Sequence, residues 1–327
     1  MTRRIGIAGC GGIARTHLAA YLAAGARVVR VYDPVPAAAE RFAAECGAKA
    51  VASIEALAAP GIDAASVCSP PGAHPAACLA LLAAGIPTLV EKPLAADLAG
   101  ARTVADAARA ARAPLMVGFC HRHHGPVIEL ARLIASGELG APVYLRIVFA
   151  GPLQLAGGHR ADPAIAGGGC VADNGTHAVD LFRHLVGDIA EVRGLIANVV
   201  QQAAVEDVGV IALRATSGAL GEITTTFSGA FPAARLELSC TGGAATIGWW
   251  DEDLPPLRFR RAGEKAWTIV DCAAHPDRFT TQIARFLACV ASGERPSPSA
   301  EDGLATATAI AAAYASARTA LAGAARG

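Results

Sequence analysis

The chain is 327 residues long, room for two domains of ordinary size, and its 28 basic residues balance its 28 acidic ones. A net charge of zero argues against a nucleic-acid binder, which carries a basic face or stripe. Hydrophobic residues make up 53% of the chain, but alanine, with 78 residues, is by far the largest contributor. The uncharged alanine-rich run Leu304 to Ala317 is too short and too weakly apolar for a bilayer span of about 20 residues.

The first 120 residues alternate short apolar strands with helical stretches. Ile5–Ala8 is a strand ending in glycines, and Ile13–Ala23 follows with Leu18, Tyr21 and Leu22 at helical spacing. Val28–Tyr32 is the next strand and Pro36–Cys46 an alanine-rich helix. Ala64–Cys68, Thr88–Val90 and Leu115–Phe119 are further strands, separated by helices over His74–Ala84 and Ala95–Ala111. Near-continuous apolar strands between helices predict a parallel sheet covered on both faces. After residue 120 the pattern changes. Pro126–Ser136 reads as a linking helix, and period-two alternation at 143–148 and 235–240 predicts a mostly antiparallel open sheet. One helix near His177–Val186 interrupts the strands, and two helices, at 279–290 and 303–321, close the chain. Arg295–Pro298 is the one linker-like stretch. The expected architecture is α/β: a doubly wound parallel domain over 1–120 and an α+β domain over 121–327, with the last helix returning to the first domain.

Nine cysteines are scattered without a C-x-x-C pair, and the N-terminus enters a strand without an apolar leader. Both features predict a cytoplasmic protein with reduced thiols. His121-Arg122-His123-His124 is conspicuous, but adjacent ligands rarely point at one ion, so no metal is expected. Of the 28 basic residues only Lys49, Lys92 and Lys265 are lysine, which leaves 28 − 3 = 25 arginines. Each lysine therefore raises the question whether its position needs an ammonium that can release a proton, which a guanidinium cannot do.

Gly9-Cys10-Gly11-Gly12-Ile13-Ala14 fits G-x-G-x-x-A between a strand and a helix. Gly9 allows the tight turn, Gly11 and Gly12 let the backbone approach a pyrophosphate, and Ile13 and Ala14 open the helix. Ala14 is small enough for close packing on the strand. Asp33, 19 residues after Ala14 at the end of the second strand, can bind the ribose hydroxyls of NAD and would repel the 2′-phosphate of NADP. NAD is the expected cofactor.

Three further stretches carry a resemblance: Val67-Cys68-Ser69-Pro70-Pro71 with His74; Glu91-Lys92-Pro93-Leu94; and Gly167-Gly168-Gly169 followed by Asp173-Asn174-Gly175-Thr176-His177. In that order and spacing the whole chain resembles the Gfo/Idh/MocA oxidoreductases, the family of glucose–fructose oxidoreductase and inositol dehydrogenase. The resemblance implies reversible hydride transfer between a nicotinamide and a secondary alcohol of a sugar or cyclitol. It implies a homodimer or homotetramer, with neither nucleic acid nor membrane as partner. It also places Ser69, Pro70 and His74 against the cofactor ribose and Arg122 near the substrate. Cys120 and His121 depart from the familiar pattern, which leaves the pocket's specificity open.

Alcohol oxidation needs a base that works near neutral pH, and His177 is such a base. Asp173 lies four residues earlier, on the same face of a helix, so it can orient the imidazole or bind a substrate hydroxyl. Read without the family, Asp173 is equally an N-cap and His177 a core histidine. Asp180 is either a second partner of His177 or an exposed helix residue. Lys92 follows a strand at its carboxyl end, where open α/β sheets bind ligands. There its ammonium can hold the reacting hydroxyl and relay its proton. Glu91 reads as structural or as a contact to the cofactor, and His159 and Arg160 as contacts for a polar or acidic substrate. The rival readings are a glycoside hydrolase using transient NAD oxidation and a non-catalytic NAD-binding regulator.

Overall fold

The computed structural model describes residues 2–155, 157–249 and 254–324. The chain divides into two units, Met1–Cys120 with Asp277–Ala307, and His121–Pro276 with Thr308–Gly327.

The first unit contains β1 (Arg4–Ala8), α1 (Gly12–Ala23), β2 (Arg27–Tyr32), α2 (Pro36–Cys46), β3 (Lys49–Ala50), α3 (Ile54–Leu57), β4 (Ala64–Val67), α4 (His74–Ala83), β5 (Thr88–Glu91), α5 (Leu98–Ala110) and β6 (Leu115–Gly118). All its strand pairs are parallel, in the order β3-β2-β1-β4-β5-β6. This is the doubly wound dinucleotide-binding topology, in which the strand order reverses between β1 and β4. Local chemistry sets the helix starts. Pro36 stands in the first turn of α2, and Asp97 caps α5 by accepting the Gly100 N–H at 2.7 Å. β4, β5 and β6 are buried along their whole length, so they read as mainly apolar runs without alternation.

The second unit contains α6 (Gly125–Ala135), β7 (Pro142–Pro152), α7 (Pro163–Ala166), α8 (Thr176–Leu185), β8 (Ile189–Ala197), β9 (Val208–Ala215), β10 (Leu220–Thr226), β11 (Ser228–Cys240), β12 (Gly243–Gly248), β13 (Arg258–Arg261) and β14 (Thr268–Ile269). They form one eight-stranded sheet, β14-β13-β12-β11-β7-β10-β9-β8, in which only β7–β10 is a parallel pair. Along β7 buried Leu145, Ile147 and Phe149 alternate with half-exposed Tyr144, Arg146 and Val148. The buried face joins α6 and α8 in one core with Val127, Leu130, Val179 and Phe182. On the other face Tyr144 donates to Glu222 at 2.8 Å, and Arg146 pairs with Glu222 and Glu237.

Two expectations need correction. The span 121–327 is not one continuous domain, because residues 277–307 belong to the first unit. There α9 (Arg278–Ser292) lies on α1 and buries Ile283 and Phe286 in the core of Ile5, Tyr21 and Phe42. The stretch read as a linker is pinned to β6: the Val117 N–H donates to Pro298 O at 3.1 Å and Ser299 bridges Met116. The last helix, α10 (Ala300–Ala324), gives its first residues to the first unit and its remainder to the second. Among the described residues no helix is long and apolar enough to cross a membrane.

Candidate active site

In the first unit, the loop after β1 lies against the turn after β4. Gly9 has φ +92°, and a Cβ there would stand 2.4 Å from the backbone nitrogen of Ser69, so no side chain fits. Around Gly11 and Gly12 an added Cβ would meet nothing within 4 Å. α1 starts at Gly12 with Gly11 as its N-cap and no side chain capping it, which leaves its first N–H groups available to an anion. Ile13 is half-buried and Ala14 fully buried against the sheet. At the end of β2, Asp33 accepts the Cys10 N–H through Oδ2 and the Val35 N–H through Oδ1, both at 2.9 Å. A carboxylate has about four acceptor sites, so capacity remains for ribose hydroxyls. These residues fit a dinucleotide.

Lys92 is half-buried directly after β5, and the Lys92–Pro93 peptide is cis. Two of its neighbours are held from inside the fold. Glu91 is 7% exposed, and its Oε1 lies 2.9 Å from His17 Nε2. Its carboxylate is therefore engaged from inside the fold through Oε1, while Oε2 accepts the Lys92 N–H at 3.3 Å. Gly118 makes the room, since a Cβ there would stand 2.8 Å from Glu91 Oε1. His17 Nδ1 lies 3.0 Å from Ser66 Oγ, which is 2.8 Å from the Tyr21 hydroxyl. Burial works against a charged His17, but the Cys68 thiol and the Glu91 carboxylate outweigh it and push its pKa up to about 10. His74 is also fully buried, with Nε2 2.7 Å from Ser69 O and Nδ1 2.9 Å from Pro93 O. Each ring nitrogen thus faces a backbone carbonyl; burial holds the imidazole pKa below the ordinary histidine value against their pull, and a neutral imidazole, with one N–H, donates to one of the two at a time. Ser69 and Pro70 form the turn between β4 and α4. Cys120 is buried, which pushes its thiol up to about 12, with Arg278 and Lys92 among the charges acting on it.

In the second unit, Asp173 and His177 lie on one helical run. Val171–Gly175 is a π-helical turn that leads straight into α8. Asp173 is inside this run, its N–H donating to Gly169 O at 3.0 Å, so it is not the N-cap of α8. π-turns widen a helix locally and recur at functional sites. The turn is anchored by Glu206, whose Oε1 accepts the N–H groups of Gly169 and Val171 at 2.9 Å and the Tyr314 hydroxyl at 2.7 Å. Burial and Glu206 both push the Tyr314 pKa up. The glycine triplet follows from this anchor, since a Cβ on Gly169 would stand 1.8 Å from Glu206 O.

His177 is 8% exposed, and its ring meets His121 edge-on at 4.6 Å between centroids. His121 also touches Phe149 and Trp249, which makes an aromatic wall. Asp180 is not an exposed helix residue. It is buried and accepts Arg122 Nε at 2.8 Å and Nη2 at 2.6 Å, so both its oxygens and two of the arginine's nitrogens are committed to that bridge. His159 is exposed in a short 3₁₀ turn, and Arg160 lies 3.6 Å from Asp173 Oδ2. A cavity of about 500 Å³ opens nearby, lined in part by Gln154, Ala161, Gln201 and Ser228, but neither Asp173 nor His177 lines it. Sequence reasoning missed His17, Glu206 and Tyr314. The available signals were a histidine inside the first helix and an acidic pair, Glu206-Asp207, opening an apolar strand.

The fold and the glycine loop define a protein with a dinucleotide-binding domain. Residues 3–119 match the family described as "Oxidoreductase family, NAD-binding Rossmann fold", and residues 127–246 match "GFO/IDH/MocA C-terminal domain". The chain is 31% identical to an inositol 2-dehydrogenase of Mycolicibacterium gilvum (strain PYR-GCK), covering 97% of this chain and 92% of that one. It is 26% identical to a D-apiose dehydrogenase of Paraburkholderia graminis, over 95% and 86% of the two chains. A levoglucosan dehydrogenase in complex with NADH and levoglucosan shares the fold, with a TM-score of 0.90 at 21% identity over 98% of each chain. The chain belongs to the Gfo/Idh/MocA family and is an NAD(P)-dependent dehydrogenase acting on CH–OH groups, with an NAD-binding Rossmann domain.

Proposed function

We propose that this protein oxidises a secondary alcohol of a cyclitol or sugar to a ketone and passes the hydride to NAD. The observation that carries the reading is the position of Lys92. Of three lysines it alone is not exposed, and it directly follows β5, beside the strand whose following turn meets the glycine loop. Ligands of open α/β sheets bind at that edge, next to the reversal of strand order. The names of the inositol and apiose relatives support the substrate class.

NAD, when bound, supplies the hydride acceptor. The N–H groups opening α1 hold its pyrophosphate. Asp33 takes the ribose hydroxyls and disfavours a 2′-phosphate, so NAD is used in preference to NADP. Ser69 and Pro70 line the second ribose. Lys92 donates a hydrogen bond to the reacting hydroxyl oxygen and stabilises the charge that grows there as the proton leaves. His177 accepts that proton, and Asp173 orients the imidazole or the substrate. Arg122 acts through its bridge to Asp180, and His159 and Arg160 meet the polar substrate. The protein assembles as a homodimer or homotetramer, a reading supported by Leu195 and Leu220, 71% and 45% exposed, on the outer face of the second sheet.

The test is a panel of inositols and sugars with NAD and NADP, read as formation of reduced nicotinamide. Lys92→Met and His177→Ala should keep NADH binding and lose turnover by about 10²–10⁴-fold, the usual contribution of general acid–base catalysis. Full activity in both variants defeats the assignment.

A further inference from the structure

Lys92 stands between two buried histidines. On its N-terminal side His17 Nε2 meets Glu91 Oε1 at 2.9 Å, and Glu91 Oε2 accepts the Lys92 N–H at 3.3 Å. On its C-terminal side His74 Nδ1 meets Pro93 O at 2.9 Å. The second nitrogen of each ring reaches β4 or the turn after it: His17 Nδ1 to Ser66 Oγ at 3.0 Å, His74 Nε2 to Ser69 O at 2.7 Å. Both side chains are 0% exposed.

Their origins matter as much as their targets. His17 comes from α1, the helix opened by the glycine loop, and His74 is the first residue of α4, the helix that follows the Ser69–Pro70 turn. A core needs no imidazole at either place, since apolar side chains fill volume without the desolvation cost of a buried polar group. Here the cost at His17 is offset by hydrogen bonds at both ring nitrogens and that at His74 by the one its neutral ring donates to either carbonyl, and these contacts converge on the residues flanking one lysine.

We propose that His17 and His74 are positioning residues that couple occupancy of the dinucleotide loops to the placement of Lys92. The inference rests on the reading of those loops and of Lys92 given above. A shift of the glycine loop moves the first turns of α1 and, through His17, Glu91. A shift of the Ser69–Pro70 turn reaches Pro93 through His74. Lys92 is thereby set by both loops at once.

Lysine scarcity makes the test clean. Lys49 and Lys265 are exposed and serve as internal controls. Full-length protein is pulsed with N-acetoxysuccinimide, and acetylation at each lysine is followed by mass spectrometry, while NADH affinity is titrated by its fluorescence. His17→Gln and His74→Gln each keep one polar group and lose one of the two contacts. Each should weaken NADH binding about fivefold or more, the scale of one buried hydrogen bond, and change the Lys92 acetylation rate without NADH about threefold or more. Lys49 and Lys265 should react as in the wild type. Unchanged NADH affinity, or an unchanged Lys92 rate, in both variants overturns the coupling. A change shared by all three lysines overturns it too, because it reports a loosened fold. A wild type that fails to bind NADH overturns the cofactor reading along with the coupling, a pattern distinct from a wild type that binds and variants that bind equally well.

Discussion

The Arg122–Asp180 bridge offers the sharpest test of how the second unit holds His177. Both side chains are buried, 7% and 1% exposed, and they form two parallel bonds of 2.8 and 2.6 Å. Arg122 follows His121, and Asp180 lies three residues after His177 on α8, so the bridge ties the two elements whose imidazoles meet at 4.6 Å. Asp180→Asn keeps the shape and removes the charge. A buried guanidinium then faces an amide, and breaking such a pair from one side costs about 3–5 kcal/mol. Replacing both partners with apolar residues of similar volume, Arg122→Met with Asp180→Leu, is often nearly neutral. The double variant should therefore recover to within about 1 kcal/mol of the wild type. Urea titration followed by tryptophan fluorescence reads this selectively, because all three tryptophans (249, 250 and 267) fall in the span 121–276 of the second unit. A cost below about 1 kcal/mol for Asp180→Asn, or a double variant as damaged as the sum of the singles, refutes the reasoning.

Two further outcomes follow from the anchors of the second unit. Burial alone would raise the Asp207 pKa, but the N–H groups of Val199, Val200 and Gln201 and the Ser228 hydroxyl hold it at about 2 against an ordinary 3.8. A depressed carboxyl stabilises the fold above its unfolded pKa, and that contribution is lost as pH falls from 3.8 towards 2. Asp207→Asn should flatten the dependence of the urea midpoint on pH across that window, and parallel curves for the two proteins would count against the anchor. Gly169→Ala puts a methyl 1.8 Å from Glu206 O, so backbone must move. A loss of about 3 kcal/mol is expected, at the upper end for overpacking, and an unchanged melting temperature would contradict the placement of the triplet.

The parallel sheet was legible because strands buried on both faces write themselves as mainly apolar runs without alternation, and because Gly9 to Ala14 and Asp33 form a local pattern. β3 and α3 escaped notice, being two and four residues long, too short for any periodicity. In the second unit alternation revealed β7 and β11, but not the parallel partnership of β7 with β10, which joins residues about 75 positions apart and is fixed by the whole sheet. The site divides in the same way. Lys92, Asp173 and His177 stood out by residue type and spacing. The groups that hold them did not: His17 is 74 residues from Glu91, and Tyr314 is 108 from Glu206. Glu91 shows the limit of such reading. The last side chain of a strand can face either way, and the space at Gly118 and the imidazole of His17 decide that it faces inward.

The same contrast explains the chain's preference for arginine. Where a cation has only to grip a carboxylate, arginine's planar fork is the better tool. The chain uses it at the buried bridge to Asp180 and at exposed pairs such as Arg15–Glu45 and Arg132–Glu129. Position 92 asks for something different. In the role proposed for Lys92 a single hydroxyl oxygen has to be met, which a guanidinium's fixed fork does poorly and an ammonium's three rotatable donors do well. An ammonium is also a compact charge on a flexible stem, so it supplies no orientation of its own. The surrounding fold makes up for this: His17 fixes Glu91 on one side of the lysine and His74 fixes Pro93 on the other. On the role proposed for Lys92, the many arginines and the one histidine-braced lysine are two answers to one physical distinction, between a cation that grips a carboxylate and a cation that meets a reacting hydroxyl.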